Sequence, residues 1–106
     1  MLNEINVLEL NEKLNLNKSL ILLDVRESYE LNICKIDNSV HIPMADIPKR
    51  INQLNKNEEI IILCRSGVRS KRVYQFLYNQ GFTKIKNLKG GILEWIRLVN
   101  PLLKSY

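Results

Sequence analysis

Two short, almost unbroken aliphatic runs restrict what this chain can fold into: Leu20-Ile21-Leu22-Leu23-Asp24-Val25 and Ile60-Ile61-Ile62-Leu63. Neither alternates with polar residues, so a strand made from either needs both of its faces covered. A strand of that kind belongs inside a parallel sheet with helices packed on both sides. The segments around the runs supply those helices. Asn6 is placed to cap a helix, with Glu9 in the capping-box position and Val7, Leu10 and Leu14 at helical spacing. Glu27 to Asn32 allows one or two helical turns, and Val40-His41-Ile42-Pro43 reads as a short strand closed by proline. Asp46 is expected to cap a helix with Pro48 in its first turn and Ile47, Ile51 and Leu54 as its apolar stripe. Asn55 to Glu58 reads as a polar loop.

The second half repeats the alternation. A helix is predicted from about Val68 to Gln80, with Val73, Phe76 and Leu77 facing inward and Gly81 ending it. Lys84 to Leu88 reads as a strand, Gly90-Gly91 as a tight turn, and Ile92, Trp95, Ile96 and Val99 mark a last helix that stops at Asn100-Pro101. Strand and helix in alternation argue for an α/β fold with a mostly parallel sheet and helices on both faces. The 106 residues suit one domain spanning 1–106, without repeat, linker or low-complexity stretch.

Several function classes are excluded by composition. The net charge is +5, but no long Lys/Arg tract is present and aromatics are not interleaved with the basic residues, so no nucleic-acid partner is expected. No apolar run approaches membrane-spanning length, and Met1-Leu2-Asn3-Glu4 lacks the features of a secretory leader. The chain reads as cytoplasmic, or held in another reducing compartment such as an organelle stroma. Two cysteines and one histidine in no zinc-like spacing argue against a metal site. No Gly-Lys-Ser or Gly-Lys-Thr follows a glycine-rich turn, and no cofactor is called for.

Chemistry concentrates at the end of the second aliphatic run. In open α/β sheets, sites form at the carboxyl ends of strands. Cys64 sits at such an end, in Cys64-Arg65-Ser66-Gly67-Val68-Arg69-Ser70. A helix N-terminus there would offer unpaired N–H groups and a positive dipole end, and Gly67 would let the backbone curl into an anion nest. Arg65, Arg69, Lys71 and Arg72 add positive charge. Such surroundings favour a reactive thiolate or the anionic outer sulfur of a persulfide. An inert strand-end cysteine would leave one glycine and four basic residues in the next eight positions unexplained. A Cys–His hydrolase is disfavoured, because the lone His41 lies far upstream beside a proline turn and reads as structural.

Four segments in this order resemble the rhodanese family. Leu22-Leu23-Asp24-Val25-Arg26-Glu27 resembles its first motif and His41-Ile42-Pro43-Met44 its second. Cys64 through Ser70 resembles the active loop, and Asn87-Leu88-Lys89-Gly90-Gly91-Ile92 with Trp95 the closing motif. The resemblance implies a five-stranded, mostly parallel sheet flanked by helices. It implies that Cys64 accepts sulfane sulfur and passes it to an acceptor such as a thiol, cyanide or a sulfur-carrier protein. Arg65, Ser66, Gly67, Val68 and Arg69 would form the loop that holds the persulfide, with Arg69 closing it before the helix. Asp24 and Arg26 would be ion-pairing residues beside it, with a supporting role. Six residues from Cys64 through Arg69 match the sulfurtransferase loop, one fewer than in the related dual-specificity phosphatases.

A narrower likeness is to rhodanese domains fused to ubiquitin-activating-type adenylyltransferases of molybdopterin and thiamine synthesis or tRNA thiolation. It rests on Ile33-Cys34-Lys35-Ile36, the Cys64 loop and the tail from Gly90 to Tyr106. It implies a small sulfur donor, thiosulfate or a protein persulfide, and a ubiquitin-like carrier or an adenylyltransferase as partner. Two departures stand out: Cys34-Lys35 replaces the usual Gly-His, and Asn38 replaces a usual Gly. Asn tolerates the left-handed conformation well enough to keep that turn. Cys34 reads as a small packed side chain, with a resolving thiol as the alternative. The competing functions are a non-catalytic binding module and a phosphatase or arsenate reductase. The retained cysteine argues against the first and the loop length against the second.

Overall fold

The computed structural model describes residues 2–106. Five strands form one sheet: β1 (Glu4–Ile5), β2 (Ile21–Asp24), β3 (Val40–His41), β4 (Ile60–Leu63) and β5 (Ile85–Leu88). Their spatial order is β1-β5-β4-β2-β3. All four pairings are parallel, so the sheet is wholly rather than mostly parallel among the described residues. The chain leaves β2 toward β3 on one side and leaves β4 toward β5 on the other. The strand order therefore reverses between β2 and β4, the place where such sheets open a crevice at their carboxyl ends.

The two aliphatic runs became the two central strands because each buries side chains alternately on both faces. Leu23, Ile60 and Ile62 belong to one core with Ile47, Leu54, Val73, Tyr74 and Leu77. Leu22, Ile61 and Leu63 belong to the other, with Val7, Leu10, Ile92, Trp95 and Ile96. The first core lies under α4 (Val68–Asn79) and the α3 (Ile47–Arg50) region, and the second under α1 (Val7–Asn15) and α5 (Gly91–Leu98). No helix among the described residues is long and apolar enough to cross a membrane.

Local expectations mostly meet their geometry. Asn6 caps α1 through a reciprocal capping box, with Glu9 N donating to Asn6 Oδ1 at 2.8 Å and Asn6 N to Glu9 Oε1 at 3.2 Å. Asn38 takes φ of 65° and keeps the left-handed turn where glycine is usual. Gly81, at φ 93°, follows α4 as its terminator. The Asp46 expectation is met in position only: Asp46 precedes α3 as its N-cap residue, with Pro48 in the first turn. Met44–Asp46 is already a 3₁₀ turn, Asp46 has helical dihedrals, and its side chain makes no cap bond. Tight turns flank α3 instead, the second at Ile51–Gln53, so no single helix runs through this region. β1 carried no strand-like run; Glu4 and Ile5 pair with Asn87 and Leu88. Replacing Asn6 with Ala removes the cap, and urea unfolding should show a loss of about 1 kcal/mol with an unchanged m-value.

Candidate active site

Cys64 follows β4 directly and is 1% exposed. Its sulfur lies where the chain turns from strand into α4. Gly67, at φ 105°, makes that turn in the left-handed region, which suits a residue without Cβ. The turn points two backbone donors at Sγ: Gly67 N at 3.1 Å and Ser70 N at 3.4 Å. The thiol itself donates to Ser70 Oγ at 3.3 Å. The sulfur thus faces the first turn of an α-helix, where free N–H groups and the positive dipole end gather. Two backbone donors therefore converge on the sulfur from the loop and the first turn of α4.

The loop is braced from the opposite side. At the start of α5, Ile92 N donates to Cys64 O at 2.9 Å and Leu93 N to Arg65 O at 3.1 Å. The approach is so close that a Cβ on Gly91 would lie 2.4 Å from Arg65 O and 2.6 Å from Cys64 O. Gly90 and Gly91 both have positive φ, at 80° and 61°. The Gly-Gly pair is a turn, as its sequence suggests, and it also lets one helix N-terminus bond the carbonyls of the loop.

The predicted charges separate into distinct places. Asp24 and Arg26 form a fully buried ion pair, with Nη2 to Oδ2 at 2.7 Å. Arg26 Nη2 also donates to Cys34 O at 2.9 Å, so the pair ties the end of β2 to the end of α2 (Ser28–Ile33). Burial alone would lower the Arg26 pKa, but Asp24 and Tyr106 more than reverse this and hold it above its ordinary value. Arg26 makes no hydrogen bond to Cys64 among the described residues. Arg69 lies inside the first turn of α4 rather than ahead of it. Its guanidinium grips Glu30 in a bidentate pair at 2.6 and 2.8 Å. The Glu30 carboxylate it grips raises its pKa. Arg65 turns away from Cys64 and donates through Nε to the backbone oxygen of Tyr106 at 2.9 Å. Ser66 and Val68 are exposed at the rim, as are Lys71 and Arg72.

Sequence reasoning missed Glu30 and Tyr106. Glu30 sits four residues after Arg26 on a short helix, and its burial was the missing signal. Hydrogen bonds from Arg69 pull its pKa from an ordinary 4.5 to about 2. Tyr106 has no local signal, since its partners lie 41 to 80 residues away. His41 lies beside the Asp24–Arg26 pair rather than at the sulfur, with Nε2 2.7 Å from Arg26 O. Cys34 is buried in the core opposite the one that holds Cys64, consistent with a packed side chain.

The model of the rhodanese-like domain matches residues 6–98 of this chain. The protein belongs to the rhodanese-like family. YtwF of Bacillus subtilis is 42% identical to it over 94 residues, which cover 89% of this chain and 90% of that one. A sulfurtransferase of Allochromatium vinosum is 34% identical over 103 residues, covering 97% and 96%. The crystal structure of a rhodanese-like domain protein from Staphylococcus aureus superposes with a TM-score of 0.86 at 34% identity, covering 99% of each chain. The adenylyltransferase and sulfurtransferase MOCS3 of Arabidopsis thaliana is 31% identical over 114 residues, which cover 92% of this chain but 25% of that protein. Proteins named as sulfurtransferases are thus among the relatives that this chain resembles.

Two outcomes test the rhodanese loop's supports. Gly91→Ala should cost at least about 2 kcal/mol by denaturant unfolding, through left-handed strain and collision with loop carbonyls. Glu30→Gln should be less stable than the parent at neutral pH. Because the folded pKa is depressed, that advantage is complete above about pH 4.5 and fades as pH falls toward about 2. Melting temperatures of parent and variant should converge over that interval.

Proposed function

We propose that this rhodanese domain, spanning residues 1–106, takes sulfane sulfur onto Cys64 as a persulfide and hands it to a thiophilic acceptor. The single observation that carries the reading is the geometry at Sγ, where Gly67 N and Ser70 N converge at 3.1 and 3.4 Å. Donors in that arrangement suit an anionic sulfur, and they are built into the backbone, so no reorganisation is needed as charge moves. Asp24 and Arg26 support the loop, and Arg65, Ser66, Gly67, Val68 and Arg69 form it.

With thiosulfate as donor, the Cys64 thiolate attacks the outer sulfur. The new S–S bond forms as the old one breaks, and sulfite leaves with the electron pair. Cys64 then bears Cys–S–S⁻. An acceptor thiolate or cyanide attacks the outer sulfur, the Cys64 sulfur leaves as thiolate, and the acceptor departs as persulfide or thiocyanate. No external oxidant or reductant enters. A protein persulfide serves equally as donor, with a thiolate leaving in place of sulfite. The MOCS3 relative supports an adenylyltransferase as a macromolecular partner, and a ubiquitin-like sulfur carrier is the acceptor that the family resemblance implies. The reading places the protein in a reducing compartment such as the cytoplasm, which would keep Cys34 and Cys64 as the free thiols seen here.

Intact mass spectrometry after exposure to thiosulfate should show one added sulfur, removed by reductant. Cys64→Ser should gain none, and Cys34→Ser should gain as much as the parent. An equal gain in Cys64→Ser would rule out Cys64 as the carrier. Turnover of an aryl phosphate with no sulfur uptake would point to phosphatase chemistry instead.

A further inference from the structure

Beyond α5 the chain returns to the Cys64 loop. Pro101, Leu102, Lys104 and Ser105 are exposed, Leu102 at 94%, whereas Leu103 and Tyr106 pack against the core beneath α1 and α5. Tyr106 engages the loop's surroundings with three parts of itself. Its backbone oxygen accepts from Arg65 Nε at 2.9 Å and also from Arg65 Nη2. Its ring centroid lies 5.1 Å from the Arg65 guanidinium carbon and 5.8 Å from that of Arg26. Its hydroxyl accepts from Arg26 Nη1 at 2.9 Å and donates to Glu30 Oε2 at 2.6 Å.

The hydroxyl's orientation is dictated by its neighbours. Arginine can only donate, and ionised Glu30 can only accept. Glu30 in turn holds Arg69 through both oxygens. Tyr106 therefore grips Arg65, the residue after Cys64, directly and Arg69, six positions into the loop counting from Cys64, through one carboxylate. The two backbone donors on Sγ, Gly67 N and Ser70 N, lie in and just beyond the stretch spanned by these grips.

We infer that Tyr106 is a positioning residue for the Cys64 loop, holding both of its ends so that its backbone donors stay aimed at the sulfur. No hydrogen bond joins Tyr106 to Sγ among the described residues, so the role assigned to it is to position the loop and not to make bonds. Loss of its hydroxyl leaves Arg26 Nη1 only two long contacts, Glu30 O at 3.4 Å and Cys34 Sγ at 4.0 Å. Loss of the whole side chain also strips the aromatic face from Arg65. The effect on sulfur transfer rests on the function proposed above, whereas the effect on the loop does not.

The test compares the parent with Tyr106→Phe, Tyr106→Ala and, as a control in the exposed tail, Leu102→Ala, all well below their melting temperatures. Amide hydrogen exchange of residues 65–70 is read against that of β4, and sulfur loading from thiosulfate is timed by intact mass. In Tyr106→Ala, exchange should rise selectively in the loop and loading should slow on the order of tenfold. Tyr106→Phe, which keeps the ring, should fall between, and Leu102→Ala should match the parent. Exchange that rises equally in loop and β4, or a Tyr106→Ala loop and loading rate equal to the parent's, would overturn the inference. If the parent itself takes up no sulfur, the sulfur-transfer reading fails, and the exchange comparison still decides the role of Tyr106.

Discussion

Strand β4 is the constraint on which the molecule depends. Ile60, Ile61, Ile62 and Leu63 are all fully buried, two on each face of the sheet. Its backbone is paired with β2 on one edge and β5 on the other. Burial of four large aliphatic side chains stabilises by roughly 1.5–3 kcal/mol each. This placement removes all four side chains from water and pairs the strand on both edges. Once β4 is central, Cys64 emerges at the carboxyl end of the sheet beside the β2–β4 reversal. The helix that follows must begin there, with its N–H groups turned toward the sulfur.

The site is held by two kinds of support. Backbone supplies the surroundings of the sulfur, through the left-handed turn at Gly67 and the brace from α5 at Gly91. Side chains supply an alternating chain of charge: Asp24, Arg26, the Tyr106 hydroxyl, Glu30 and Arg69. Every link in that chain is partly or fully buried, so a missing partner would leave a desolvated charge behind. Arg69 is thereby placed near Cys64 yet already paired with a carboxylate. Under the function proposed above, stabilisation of an anionic sulfur would fall mainly to the N–H groups of Gly67 and Ser70.

Much of this was legible from residue patterns. The aliphatic runs identified β2 and β4, the capping box located α1, and Gly81 ended α4. Cys64 stood out through its place after a strand and the basic, glycine-containing stretch that follows. Three features were hidden for physical reasons. β1 is two residues long and exists only by pairing with β5, 83 positions away. Asp46 has the composition of a cap, but a 3₁₀ turn had already taken its backbone into helical dihedrals. Glu30 looks like any surface glutamate of a short helix until Arg69 and Tyr106 close over it.

By itself, the sequence determined the α/β class, the buried central strands and the cysteine at a strand end. These depend on hydrophobic periodicity and local backbone preference, both of which act over a few neighbouring residues. Only the tertiary structure decided which charges meet. It gave Arg69 to Glu30, Arg26 to Asp24 and Tyr106, and Arg65 to the tail rather than to the sulfur. Ion pairs and hydrogen bonds depend on distances of about 3 Å between groups far apart in the chain, and such distances exist only after the sheet has assembled.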